Sequence, residues 1–210
     1  QNAFAVASGR SALAMALRAL ELPAGAGVAL PSYCFFSVVG VVEGLGLQPV
    51  FVEIDADTMA MDPVALAAAI DEVACVVVIH PYGQVAPIEA LLAACAGRSG
   101  TVPLVEDASQ STGAALHDRK VGSFGAAGVF SLVSGKNLQT FGGGLAISAD
   151  AAISQRLEKL HTAALPGDDT KARSLLRGGL LKWVLASRGG FAAGAFAPFL
   201  ALSEAAPERF

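Results

Sequence analysis

An acid, an amide, a hydroxyl and an amine recur at short intervals in one stretch of this chain: Asp107, Gln110, Ser131 and Lys136 all fall within residues 101–147. Asp107 follows Glu106 at the end of the apolar run Val102, Leu104, Val105, which reads as a buried parallel strand. Ligands of open α/β sheets bind where such strands end. A carboxylate held there stays ionised when a cation meets it, and the protonated ring nitrogen of a pyridine is one such cation. Lys136 is one of five lysines in the chain and follows the strand-like run 128–133 and the turn Ser134-Gly135. Apolar surroundings favour a free amine, the form that attacks a carbonyl to make an imine. Taken singly, Asp107 is equally well an acid opening a loop, and Lys136 a solvated loop lysine. The chemistry rests on the set.

Bringing these side chains together calls for several strands that end at one edge. Residues 3–6, 28–30, 49–54 and 75–79 read as strands, and 38–44 and 87–96 as helices. Asp62 as N-cap with Pro63 behind it opens a further helix that runs to Ile70. The alternation implies an α/β fold with a mostly parallel central sheet and helices on both faces. Ser8-Gly9-Arg10-Ser11 precedes the Ala/Leu-rich helical run 12–20. A glycine turn feeding a helix N-terminus offers unpaired N–H groups and the positive end of the dipole, a seat for phosphate. Ordinary capping by Ser8 or Ser11 accounts for the serines equally well. After the strand 28–30, Phe35 or Phe36 offers a flat apolar face for a planar ring, or simply joins the core. His80, in His80-Pro81-Tyr82-Gly83 at the end of the strand 75–79, is read as packing or hydrogen-bonding near the site rather than as a catalytic group. Gly142-Gly143-Gly144 has no G-x-G-x-x-G frame between a strand and a helix, so a dinucleotide fold is not supported.

The motifs SGRSALAMAL, LPSYCFFSVVG, PVFVEID, HPYGQ, VEDASQSTGA, VGSFG and VFSLVSGKN, in this order across residues 5–147, resemble the DegT/DnrJ/EryC1/StrS family of sugar aminotransferases. The resemblance implies the large domain of a fold-type-I pyridoxal-phosphate-dependent transferase. It implies Lys136 as the amine that holds the cofactor and moves the proton, and Asp107 as the partner of the ring nitrogen. It places Gln110 against the phenolic oxygen and Phe35 over the ring. Gly9, Arg10 and Ser11, by backbone amides, and Ser131, by its hydroxyl, would hold the phosphate. Glutamate as amino donor, a nucleotide-linked keto-sugar as acceptor, and a homodimer are further implications. A related branch carries histidine where Lys136 stands and removes a sugar oxygen instead, so lysine argues for transamination. The family commonly places an acid among the glycines that follow; this chain has none at residues 142–144. Two other readings are a non-catalytic relative that keeps the fold to bind a partner, and a pyridoxal-phosphate enzyme of another reaction type.

Composition narrows the rest. With 210 residues, 54% of them hydrophobic, and a mean hydropathy of +0.57, the chain folds around a sizeable core. A net charge of −4 argues against nucleic acid as a partner. Cys34, Cys75 and Cys95 lack metal-ligand spacing, so no metal site is expected, and reduced thiols fit a cytoplasmic protein. The sequence opens on a strand-like run, and family members are longer at both ends, so a small C-terminal domain is expected outside it. The expected division is a cofactor-binding domain over residues 1–150 and a helical segment over 151–210. Within the latter, residues 175–202 are apolar and dotted with Arg177, Lys182 and Arg188. The longest uncharged run there, 189–203, is shorter than the roughly 20 residues a spanning helix requires. Burial against protein is favoured over contact with a membrane surface.

Overall fold

Cys75-Val76-Val77-Val78-Ile79 is buried at every position, as expected for a strand covered on both faces. The computed structural model describes residues 2–97, 100–140, 142–164 and 169–186. Along the chain run β1 (Asn2–Val6), α1 (Gly9–Ala19), β2 (Gly27–Pro31), α2 (Phe36–Gly44), β3 (Gln48–Val52), α3 (Pro63–Ala69), β4 (Cys75–Ile79) and α4 (Ile88–Ala94). The short strands β5 (Ala96–Gly97) and β6 (Gly100–Thr101) come next, then β7 (Leu104–Asp107) and the short pair β8 (Ala115–Leu116) and β9 (Arg119–Lys120). β10 (Ala127–Ser131), β11 (Gly144–Ser148), α5 (Ala151–Ala163) and α6 (Asp169–Ala186) complete the described elements.

Seven strands form one sheet in the order β1-β11-β10-β7-β4-β2-β3. From β10 to β3 every pair is parallel, and β11 enters antiparallel between β10 and β1. The sheet is therefore mixed, with a parallel centre. Its alternating side chains feed the cores on its two faces, with Phe130 in a smaller cluster beside Ala108 and Val121. Val28, Leu30, Val77, Ile79, Val105 and Val129 pack with α1, α2 and α5. Ala29, Val76, Val78 and Leu104 pack with α3 and α4 through Leu66, Ile88 and Leu91. Truncating a fully buried leucine such as Leu66 or Leu91 to alanine costs about 2–5 kcal/mol.

Helix starts follow side-chain chemistry. Ser8, Asp62 and Asp150 each accept an amide hydrogen of the first turn, from Ser11, Val64 and Ile153 respectively, and such a cap contributes about 1 kcal/mol. α4, whose N-cap is Pro87, and α2 lack such a cap, and α2 is the more exposed of the two starts. Its N-cap is Phe35, without a side-chain hydrogen bond and 61% exposed. An exposed aromatic ring at an uncapped helix start gains from neither burial nor capping.

Two compact units divide between Leu165 and Pro166. α5 belongs to the first, because Ile153 and Leu157 are buried in the α1-side core; the expected boundary at residue 150 falls on the α5 N-cap instead. In the second unit α6 is the described element, and residues 187–210 of the expected 151–210 segment lie outside the described residues.

Candidate active site

Because residues two apart on a strand share a face, Val105 and Asp107 of β7 point to the α1 side, as do Val129 and Ser131 of β10. Asp107 pairs in register with Ile79 on one flank and Val129 on the other. The strand ends therefore deliver an apolar floor with a buried acid and a buried hydroxyl on it. Loops beyond these ends complete a cleft of about 620 Å³ lined by Gly9, Arg10, Phe35, Phe36, Asp107, Gln110, Ser131 and Lys136, among others. Seven of the eight residues expected at the site from sequence are thus brought together. Ser11 is the eighth and does not line the cleft. Its N–H donates to Ser8 Oγ at 3.1 Å and its hydroxyl pairs with the same oxygen at 3.0 Å, so capping has taken the amide expected to face a phosphate.

The turn before α1 is held by close approach. A Cβ on Gly9 would sit 2.8 Å from Ser131 Cβ, and one on Gly144 would sit 2.6 Å from the Ser8 carbonyl. Glycine is needed at both positions, at Gly9 because the turn backs onto the Ser131 side chain and at Gly144 because backbone meets backbone. The last glycine of residues 142–144 therefore serves packing between β11 and the turn.

Lys136 is reached through a tight turn in which its N–H donates to the Val133 carbonyl at 3.2 Å, with Gly135 at φ +91°. Asn137 then donates from Nδ2 to the Thr112 carbonyl at 2.8 Å. That bond ties the lysine loop to the loop that carries Gln110. Gln110 accepts the Tyr82 N–H on Oε1 at 3.2 Å, which leaves its NH₂ group to donate elsewhere. Tyr82 is held at φ +51°, and its hydroxyl meets that of Tyr33, an interaction that raises the Tyr82 phenol above its usual range. Asp107 accepts the Ser109 N–H on Oδ1 at 2.9 Å. Burial, reinforced by the nearby Asp107 carboxylate, pushes the Cys34 thiol up.

Glu106 escaped the sequence reading. Its side chain is fully buried on the opposite face, where Oε2 accepts from Gly122 N–H at 2.7 Å and pairs with His80 Nε2 at 3.0 Å. Oε1 accepts from the N–H groups of Phe124 and Gly125, both at 2.6 Å. His80 Nδ1 accepts the Ala86 N–H at 3.1 Å, so Nε2 is the ring atom that donates to Glu106. His80 is a hydrogen-bonding residue beside the site. The available signal was the pair of adjacent acids itself, since strand alternation must send one of them to each face.

Residues 1–179 match the DegT/DnrJ/EryC1/StrS aminotransferase family. The chain belongs to that family. DegT/DnrJ/EryC1/StrS proteins are pyridoxal-phosphate-dependent, and the mixed sheet with flanking helices is their fold-type-I architecture. The L-glutamine:2-deoxy-scyllo-inosose aminotransferase of Micromonospora echinospora is 39% identical over 155 residues, 73% of this chain and 36% of the relative. The UDP-N-acetyl-3-dehydro-alpha-D-glucosamine 3-aminotransferase of Acidithiobacillus ferrooxidans is 37% identical over 157 residues, 74% of this chain and 42% of the relative. The crystal structure of S. venezuelae DesV superposes with a TM-score of 0.72 at 32% identity, covering 80% of this chain and 46% of DesV. This DegT/DnrJ/EryC1/StrS chain thus spans less than half the length of these relatives.

Proposed function

We propose that the protein is a pyridoxal-phosphate-dependent aminotransferase that moves nitrogen from an amino acid of the glutamate type to the ketone of a polyhydroxylated ring. The observation that carries this reading is the convergence of Lys136 and Asp107 on one cleft. The donor set fits the cofactor. A primary amine and a carboxylate face the same space, and among the described residues the carboxylate accepts one hydrogen bond, so it retains acceptor capacity for a protonated ring nitrogen.

When bound, the cofactor supplies the electron sink that lets an amino acid release its α proton. Lys136 would hold the cofactor through Nζ. Once displaced by the donor's amine, it would accept the α proton at Nζ and return it at the neighbouring carbon. Asp107 would keep the ring nitrogen protonated. Gln110, whose Oε1 is taken by Tyr82, would donate to the phenolic oxygen. The Gly9 and Arg10 amides at the start of α1, together with the Ser131 hydroxyl, would receive the phosphate, and Phe35 would lie over the ring with Phe36 beside it, their centroids 4.5 Å apart.

Glutamate, or its amide as in the name of the M. echinospora relative, is the proposed donor. For the acceptor, the A. ferrooxidans relative's name supports a nucleotide-linked keto-sugar, and the M. echinospora name supports a free carbocyclic ketone. The proposal extends to a homodimer: Tyr33, Phe35, Phe36 and Tyr82 are all exposed at the cleft, aromatic surface of the kind a second subunit covers. A cytoplasmic location is supported by the unpaired Cys34, Cys75 and Cys95.

Borohydride treatment of the full-length protein mixed with pyridoxal phosphate, followed by peptide mapping, tests the site. A pyridoxyl mass on the peptide containing Lys136 is expected, and its absence, or its appearance on another lysine, overturns the assignment. Mixing the loaded protein with glutamate or glutamine should then yield pyridoxamine phosphate without a second substrate. Lys136→Ala should slow that conversion by about 10²–10⁴-fold. An enzyme of another reaction type, or a non-catalytic relative, would leave the cofactor as pyridoxal phosphate.

A further inference from the structure

Beyond the residues given to the cofactor, the cleft continues across the sheet edge. The parallel strands lie in the order β10-β7-β4-β2-β3. Ser131, Lys136, Asp107 and Gln110 come from the ends of β10 and β7 and the loops beyond them, whereas Tyr33, Met59 and Tyr82 stand in the loops after β2, β3 and β4 and line the same cleft. Among the described residues the charged groups that line it are Arg10, Asp107 and Lys136. The part bounded by the β2, β3 and β4 loops brings none. Carboxylates and phosphates are held by cations, so this part suits a neutral ligand.

Its phenols are paired. Tyr33 and Tyr82, the two tyrosines of the chain, share a hydrogen bond between their hydroxyls. Whichever donates, the pair retains one O–H to give and lone pairs to receive. An alcohol presents the same complement, and a few placed polar groups in an apolar cleft are what fix a ligand's orientation.

Two of these side chains are held on an unfavourable backbone. Met59 at φ +59° and Tyr82 at φ +51° are two of the five non-glycine residues with positive φ among the described residues, and glycine occupies that conformation more easily. The Met59 N–H donates to the Asp55 carbonyl at 2.7 Å, and the Asp55 carboxylate braces the turn by accepting the Thr58 N–H and hydroxyl at 2.8 and 3.0 Å. Tyr82 is fixed by Gln110 and Tyr33. Neither side chain is fully buried, so core packing does not account for them. Strained residues of this kind collect at active sites and ligand clamps.

Tyr82 also has a place relative to the chemistry. In pyridoxal phosphate the phenolic oxygen and the carbon that exchanges nitrogen stand on neighbouring ring atoms. Gln110, the residue given to that oxygen, accepts the Tyr82 N–H at 3.2 Å. The acceptor's ketone must come to that side of the ring, so a second subunit closing over the cleft would close over the acceptor.

We propose that Tyr33 and Tyr82 form the subsite for the acceptor's ring hydroxyls, with Met59 as an apolar wall, and so select a polyhydroxylated ketone over a keto acid. This rests on the aminotransferase function proposed above. A free carbocycle and a nucleotide-linked sugar share that chemistry. The test loads the full-length protein with pyridoxamine phosphate and follows the return of pyridoxal phosphate absorbance with 2-deoxy-scyllo-inosose, with UDP-N-acetyl-3-dehydro-alpha-D-glucosamine and with 2-oxoglutarate, the keto acid that glutamate leaves. Whichever ring ketone reacts identifies the source. Tyr33→Phe and Tyr82→Phe keep the rings and should each lower the second-order rate constant for that ketone about 3–10-fold, with 2-oxoglutarate staying within about twofold. Calorimetric titration of the borohydride-reduced protein with the same ketone should show an equal loss of affinity without turnover, and sedimentation velocity should show the wild-type oligomer in both variants. Unchanged rates with the ring ketone, an equal loss with 2-oxoglutarate, reaction with neither ring ketone, or a variant that dissociates the oligomer overturns the proposal. A wild-type protein that makes no pyridoxamine phosphate from glutamate overturns the aminotransferase function and the subsite together; a normal glutamate reaction with tyrosine variants identical to wild type removes the subsite alone.

Discussion

Two adjacent acids meet opposite fates. Glu106 faces the α3 and α4 side, fully buried, with both oxygens shared among three backbone amides and His80. Asp107, one residue on, faces the α1 side, lines the cleft and accepts a hydrogen bond from Ser109. The protein itself satisfies the first carboxylate, which thereby folds residues 122–125 under the sheet edge. The second keeps acceptor capacity facing the cleft. One strand end thus supplies a structural acid and, on the proposed function, a binding acid, and the period of two keeps them from competing for partners.

Exchanging each acid for its amide should separate the two roles most sharply. Asp107→Asn should slow conversion of bound pyridoxal phosphate by glutamate about 10²–10³-fold and move the urea midpoint little. Glu106→Gln turns one acceptor oxygen into a donor that faces two other donors whichever way the amide lies. It should cost about 3 kcal/mol of stability in urea denaturation and leave the folded fraction competent. If Glu106→Gln abolished the reaction with no loss of stability, the division of labour would be wrong. A smaller effect comes from the turn that abuts Ser131. Gly9→Ala should cost about 1–3 kcal/mol and weaken cofactor binding in the same variant, because the added methyl group pushes the turn off Ser131; unchanged cofactor affinity would place the phosphate elsewhere.

The smallest effect reads the Asp107 side through Cys34. Its thiol is pushed up by burial first and by Asp107 second, so at any pH below that raised value less of it is thiolate than in an exposed cysteine. Asp107→Asn removes one of the two causes and should speed iodoacetamide labelling of Cys34 a few-fold, with the pH–rate curve displaced toward lower pH. Added pyridoxal phosphate should protect the thiol. Cys95, pushed up to about 11 by burial, and the fully buried Cys75 should label only on unfolding. Equal rates for Cys34 in both proteins would show that the carboxylate does not act on it.

The parallel centre of the sheet was legible because residues 75–79 and 128–133 are apolar at every or nearly every position, and Asp62-Pro63 marks a helix start by local chemistry alone. Lys136 and Asp107 were legible as a set because Asp107 closes one apolar strand and Lys136 follows another, where loops of an α/β sheet meet. What the sequence hid depends on distant partners. The backbone donors to Glu106 lie 16–19 residues away and His80 lies 26 away, and nothing in the local pattern announces them. Ser11 was ambiguous for a related reason: two serines three apart at a helix start can cap each other or serve a ligand, and here the Ser11 amide donates to Ser8. The antiparallel insertion of β11 was also out of reach, since an apolar run carries no sign of its direction.

The pairing of β1 with β11 joins residues 2–6 to residues 144–148. β1 therefore has no sheet neighbour until β11 has been made, and the turn at Ser8-Gly9 waits with it for Gly144. During synthesis the turn at Ser8-Gly9, to which the proposed function gives the phosphate, is thus among the last sides of the cleft to be set in place.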